Sequence, residues 1–160
     1  MSNTKDSLRK DLEASQKAFQ DMMNALSDQD LEGPSANANW PVKALLNHLA
    51  MAIELIPPEV EAARKGKSFQ AMPAGFFDWM NKITSPMLAK KLTRQAILDK
   101  YEVGYQAALR SLDSIQENEW RKRLKFHKFE GDIEFLFRRV ADHHREHLDS
   151  IRPVMDKKAR

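Results

Sequence analysis

The residues of this chain best placed to do chemistry are two histidines one helical turn apart. His143 and His147 lie in the run Val140-Ala141-Asp142-His143-His144-Arg145-Glu146-His147-Leu148-Asp149-Ser150-Ile151, which holds three of the five histidines. No Gly or Pro interrupts the run, and Ile133, Leu136, Phe137, Val140, Leu148 and Ile151 recur at helical steps. Positions i and i+4 of a helix lie on one face, roughly 6 Å apart. Two imidazoles so placed can share one metal ion at ~2.1 Å from each nitrogen. Such pairs also occur on polar faces that bind nothing, so a metal site needs a third ligand from elsewhere, and His48 is the best candidate. The zincin pattern places Glu directly after the first His. Here His144 stands in that position and Glu146 precedes His147, so nothing local argues for a protease. Glu146 can either accept a hydrogen bond from a ligand's second ring nitrogen or form a surface ion pair with Arg139 or Arg145.

A site of this kind requires a scaffold that brings residue 48 to residues 143–147. Helical periodicity predicts four long elements. The first runs from about residue 4 to residue 27, with Thr4 as N-cap and Leu8, Leu12, Phe19, Met22, Met23 and Leu26 as its apolar stripe. A turn-rich segment, 27–35, follows. The second helix starts at Trp40-Pro41, buries Leu45, Leu49, Ala52, Ile53 and Ile56, kinks at Pro57-Pro58 and stops at Gly66. His48 falls in or beside its apolar stripe. Met72-Pro73-Ala74-Gly75 reads as a turn, and Phe76, Phe77, Trp79, Met80 and Ile83 as a short apolar helix, punctuated by Ser85-Pro86. The third long helix runs from Thr93, as N-cap, to about Gln116. Residues 119–129 alternate loosely and read as extended, with His127 facing solvent. Gly131-Asp132 opens the fourth helix, which ends near Pro153. The expected fold is all-α: a single-domain four-helix bundle over residues 1–160, with a kinked second helix and a short extra helix before the third. Bundles build metal sites in their cores from facing helices.

Composition narrows the chemistry. There is no cysteine, so disulfides, zinc knuckles and Fe–S clusters are excluded, and any thiol chemistry must use a thiol brought by a co-substrate. No apolar run approaches the ~20 residues of a membrane span. The first residues show no signal-peptide core, and together these features give a cytoplasmic expectation. The net charge is only +3, and the basic clusters (residues 64–67, 90–91, 121–123 and 157–158) are dispersed. A nucleic-acid surface would concentrate them on one element, so no nucleic-acid partner is expected.

Two runs together resemble a known family. Ala25-Leu26-Ser27-Asp28-Gln29-Asp30-Leu31 followed by Trp40-Pro41-Val42-Lys43-Ala44-Leu45-Leu46-Asn47-His48-Leu49-Ala50 is similar to the second-helix signature of DinB-like (YfiT-like) metal-binding bundles, with a Trp eight residues before a His-Leu. The run from His143 to Arg152 resembles that family's last-helix motif, in which His-x-x-Glu-His precedes an apolar residue. The resemblance implies a four-helix bundle, often a homodimer, with a divalent metal, zinc or nickel, on His48, His143 and His147. His144 stands where the family often has Asp and is not expected to be a ligand. Pro41 replaces the usual Ser or Thr after the Trp. Asp78 and Asn81 faintly resemble a pair found in some thiol-using members.

Three neutral imidazoles and an open position describe a catalytic metal rather than a closed structural one. Family members include transferases and isomerases that use low-molecular-weight thiols. The expectation is therefore a metal-dependent transferase joining such a thiol to small electrophiles, with Met22, Phe76, Phe77 and Trp79 lining the substrate pocket. The alternatives are a metal-dependent hydrolase on the same three histidines and a non-enzymatic metal-binding protein of stress responses.

Overall fold

The computed structural model describes residues 2–37, 40–67, 74–126 and 129–156, with side chains described except at 2, 3, 74, 76–81, 126 and 156. The expectations for Met72-Pro73, His127, Lys157 and Lys158, and for the side chains of Phe76, Phe77, Asp78, Trp79, Met80 and Asn81, lie outside these residues. The chain forms helices α1 (Ser2–Ala25), α2 (Asp28–Glu32), α3 (Val42–Glu54), α4 (Ile56–Arg64), α5 (Ala74–Lys90), α6 (Arg94–Ser114) and α7 (Ile133–Asp156), and strands β1 (Arg123–Phe126) and β2 (Phe129–Asp132). The architecture is the all-α bundle expected. The long units are α1, α3 continued by α4, α6 and α7, with α5 as the extra helix before α6.

The kink in the second unit has a local cause. Pro57 and Pro58 lack the N–H groups that would reach back to Ile53 and Glu54. The helix breaks just before them, at Leu55, and α4 restarts with proline in its first turn, where the missing donors cost nothing. Gly66, at φ 63°, ends α4, and Lys67 N–H reaches back to Ala62 O at 2.8 Å.

α3 lies against α5, α6 and α7, and α1 packs on α6 and α7. The central position of α3 follows from its composition. Val42, Ala44, Leu45, Leu46, Leu49, Ala50 and Ile53 are all fully buried, so the helix is apolar nearly all round. Facing stripes complete one continuous core: Leu8, Leu12, Phe19 and Met23 from α1, Ile97, Tyr101 and Leu112 from α6, Leu136, Phe137, Val140 and Ile151 from α7. Contact between α3 and α6 is close enough to require Gly104, where a Cβ would lie 2.8 Å from Ile53 Cγ2.

Several boundaries differ from the sequence expectation. α1 begins at Ser2, so Thr4 lies inside it and not at its cap. Ser2, Asn3 and Thr4 are all cap-type residues, and their types alone do not choose among them. The segment after α1 is partly helical: Ser27 and Asp30 form a capping box that starts α2. Arg94 then closes the open end of α1, donating to Met23 O and to Leu26 O. Helices α5 and α7 run through Pro86 and Pro153 rather than stopping there. Strands β1 and β2 pair antiparallel, with Leu124 opposite Gly131, and Asp132 caps α7 by accepting from Phe135 N–H at 2.9 Å. Among the described residues, no helix is long and apolar enough to cross a membrane.

Candidate metal centre

α3 and α7 bring the three histidines together. His143 Nε2 lies 3.2 Å from His48 Nε2 and 3.0 Å from His147 Nε2. The ligand atoms of all three fall within 4.8 Å of one another, and all three residues are half-buried. Bonds of ~2.1 Å at tetrahedral angles would hold two nitrogens about 3.4 Å apart. The observed spacings are close to that figure. The rings of each pair stand edge to face, at 64°, 85° and 86°.

The donor set itself favours a cation. A neutral imidazole nitrogen either donates or accepts. The one His143 Nε2 cannot form a full hydrogen bond with both neighbours, whereas three lone pairs on one cation leave no conflict. The protonation states of His143 and His147 agree. Burial, reinforced by the neighbouring His48, His147, His144 and Arg139, pushes His143 down to about 2. Burial also lowers His147, partly offset by the charge of Glu146. At neutral pH these rings therefore carry free lone pairs.

His144 and Glu146 lie beside the ligands on α7. His144 points the opposite way, 1% exposed, with its Nδ1–H donating to Val140 O at 2.8 Å and its ring edge-on to Tyr101. Burial pushes it down to about 4 against the pull of that carbonyl. Tyr101 stacks on Phe19 at 3.8 Å, and burial raises its phenol. Glu146 gives both carboxylate oxygens to Arg139, each at 3.0 Å, which is the ion-pair alternative for that residue. Met22 lines an opening of about 350 Å³ with Leu148, Arg152 and Met155, between α1 and α7.

Trp40 has a place that no local pattern in the sequence foretold. Its indole meets the His48 ring at 4.7 Å, edge-on, and lies nearly parallel to the His147 ring at 6.2 Å. The contact joins residues more than a hundred positions apart, so only the eight-residue interval to His48 was visible.

Fold and site together define a helical bundle with a three-histidine cluster between its second and last long units. The chain belongs to the mycothiol maleylpyruvate isomerase N-terminal domain family, which matches residues 12–149. A crystal structure of the mycothiol-dependent maleylpyruvate isomerase superposes with a TM-score of 0.75 over 92% of this chain. At 11% identity that likeness is one of fold, and the chain spans 60% of the length of that protein's chain. No curated protein matches the sequence. The resemblance to DinB-like bundles is met at the level of this family and its helical fold.

Proposed function

We propose that this protein is a metal-dependent enzyme that brings a low-molecular-weight thiol to a small electrophile, with His48, His143 and His147 as the metal ligands. The observation that carries the reading is the convergence of three imidazole nitrogens, 3.0 and 3.2 Å apart, from two helices. Family membership supports the thiol, since the related enzyme is described as mycothiol-dependent.

A divalent ion held there, zinc or nickel, would supply Lewis acidity that draws a thiol's proton off near neutral pH. The chain's own contribution is to keep three uncharged donors in place. Burial holds His143 and His147 deprotonated. The protein has no cysteine, so the nucleophilic sulfur comes with the co-substrate. As the S–H bond breaks, the sulfur adds to the electrophilic carbon of an activated double bond; the π pair moves to the neighbouring carbon, and that carbon takes up the proton. His48, His143 and His147 would hold such an ion with three protein donors, the number found in catalytic rather than closed structural sites. Glu146 acts on the site from outside the ligand set, through Arg139.

The test is conjugation of a generic electrophile by the purified protein with several cellular thiols, with and without added metal. Turnover should require both metal and thiol, and should vanish in the His143→Ala, His147→Ala double variant. Activity unchanged in that variant would reject the proposal. Turnover without thiol would indicate a hydrolase on the same ligands, and tight metal with no turnover a binding protein.

A further inference from the structure

Trp40 is held from three sides. Its backbone N–H donates to Asn37 O at 3.1 Å, and its backbone carbonyl accepts from Ser35 Oγ at 2.7 Å. Pro34 and Pro41 form an antiparallel bridge, and Val42 N–H donates to Gly33 O at 3.0 Å, which ties the segment to the start of α3. Ala36 N–H donates to Ser150 O at 3.0 Å, fastening the same segment to α7 one turn past His147. The segment is thus anchored to both helices that carry the three histidines. The indole it presents touches a ring from each helix, His48 at its edge and His147 nearly in parallel.

An imidazole on a helix turns about two side-chain torsions, and an ion that must order three of them binds more weakly than one that finds them set. Groups that fix ligand orientation usually do so by hydrogen bonds to the second ring nitrogen. Here a rigid aromatic surface faces two of the three rings at distances typical of edge-to-face and offset-parallel pairs.

We propose that Trp40 is a positioning residue for the metal centre, holding the His48 and His147 rings in the orientation at which their nitrogens meet. This rests on the metal-binding reading above and adds to it a residue that touches no metal. It also makes the indole a reporter of the site, because a paramagnetic ion on these ligands would lie within a few ångströms of the ring.

The experiment is zinc affinity of the metal-free protein, by competition with a chelating dye, for the wild type and the variants His48→Ala, Trp40→Ala, Trp40→Phe and Ser35→Ala. The loss expected for removing a ligand-orienting neighbour is about tenfold or more. Trp40→Phe, which keeps an aromatic face, recovers most of it, whereas a further variant, Trp40→Leu, which fills space without one, does not; equal recovery in both would indicate space filling alone. Ser35→Ala leaves the indole but frees its carbonyl, so it weakens zinc in the same direction by less, and it carries the test if Trp40→Ala does not fold. In a Trp79→Phe, Trp120→Phe variant, nickel should quench the remaining Trp40 fluorescence with the midpoint of nickel binding. Zinc affinity unchanged in the folded Trp40 and Ser35 variants, with His48→Ala defective, would overturn the positioning role alone. Zinc retained by His48→Ala would overturn the centre itself.

Discussion

Arg139 stands beside three nitrogens suited to a dication, and its own charge opposes one. Its guanidinium helps lower both His143 and His147. Glu146 answers that charge with both of its oxygens and favours the cationic form of His147. The pair is partly solvated, with Arg139 19% and Glu146 60% exposed, so its worth as a fold-stabilising bridge is small. Its consequence would lie in the field at the proposed metal site. Glu146→Gln leaves the Arg139 charge uncompensated and should weaken zinc several-fold at low salt, an effect that shrinks as ionic strength rises. Arg139→Gln combined with Glu146→Gln should restore wild-type affinity. Equal weakening in the single and double variants, measured by chelator competition, would show that Glu146 acts otherwise.

At the scale of elements, the site depends on how closely α3 is held in the bundle. Gly104 allows α6 to approach, and an added Cβ would lie 2.8 Å from Ile53 Cγ2 and 3.0 Å from Glu54 Cγ. Gly→Ala inside a helix normally gains up to ~1 kcal/mol. Overpacking against the fully buried Ile53 should outweigh it, costing about 1–3 kcal/mol before that gain. Gly104→Ala should therefore lower the urea midpoint, and a raised midpoint would show the α3–α6 contact to be slack. Much of this scale was legible beforehand. The apolar stripes of α1, α6 and α7 are buried as their spacing demands, and Thr93 caps α6 by accepting from Ala96 N–H. Gly66 ends α4 because it alone takes a left-handed backbone there. What was illegible had non-local or competing causes. The Ser27–Asp30 capping box lies among residues equally suited to a turn. Pro86 and Pro153 are single breakers inside stretches whose tertiary packing outweighs one lost hydrogen bond. For the site, the i,i+4 pair was a local signal and the His48 partnership followed from bundle architecture. The Trp40 contact and the inward turn of His144 depend on the packing of three helices, which no short window of sequence encodes.

For the molecule as a whole, the buried neutral histidines link stability to pH. His144 is held down to about 4 and His143 to about 2, against about 6.5 when unfolded. The unfolded chain therefore binds these protons first. The stabilisation is complete above pH 6.5 and is lost as pH falls through the folded values. His144 alone spans about 2.5 pH units, roughly 3 kcal/mol between neutrality and pH 4. Urea unfolding of the metal-free protein should show at least that decline over this range, and stability flat from pH 7 to 4.5 would contradict it. Metal should steepen the dependence, because acid releases the ion as it protonates the ligands. The proposed chemistry depends on the three-histidine centre, and the most direct measurement is zinc stoichiometry of the metal-free protein, by calorimetric titration, beside His48→Ala. One tight site per chain is predicted for the wild type and none for the variant, while equal binding by both would contradict the ligand set and the proposed chemistry with it.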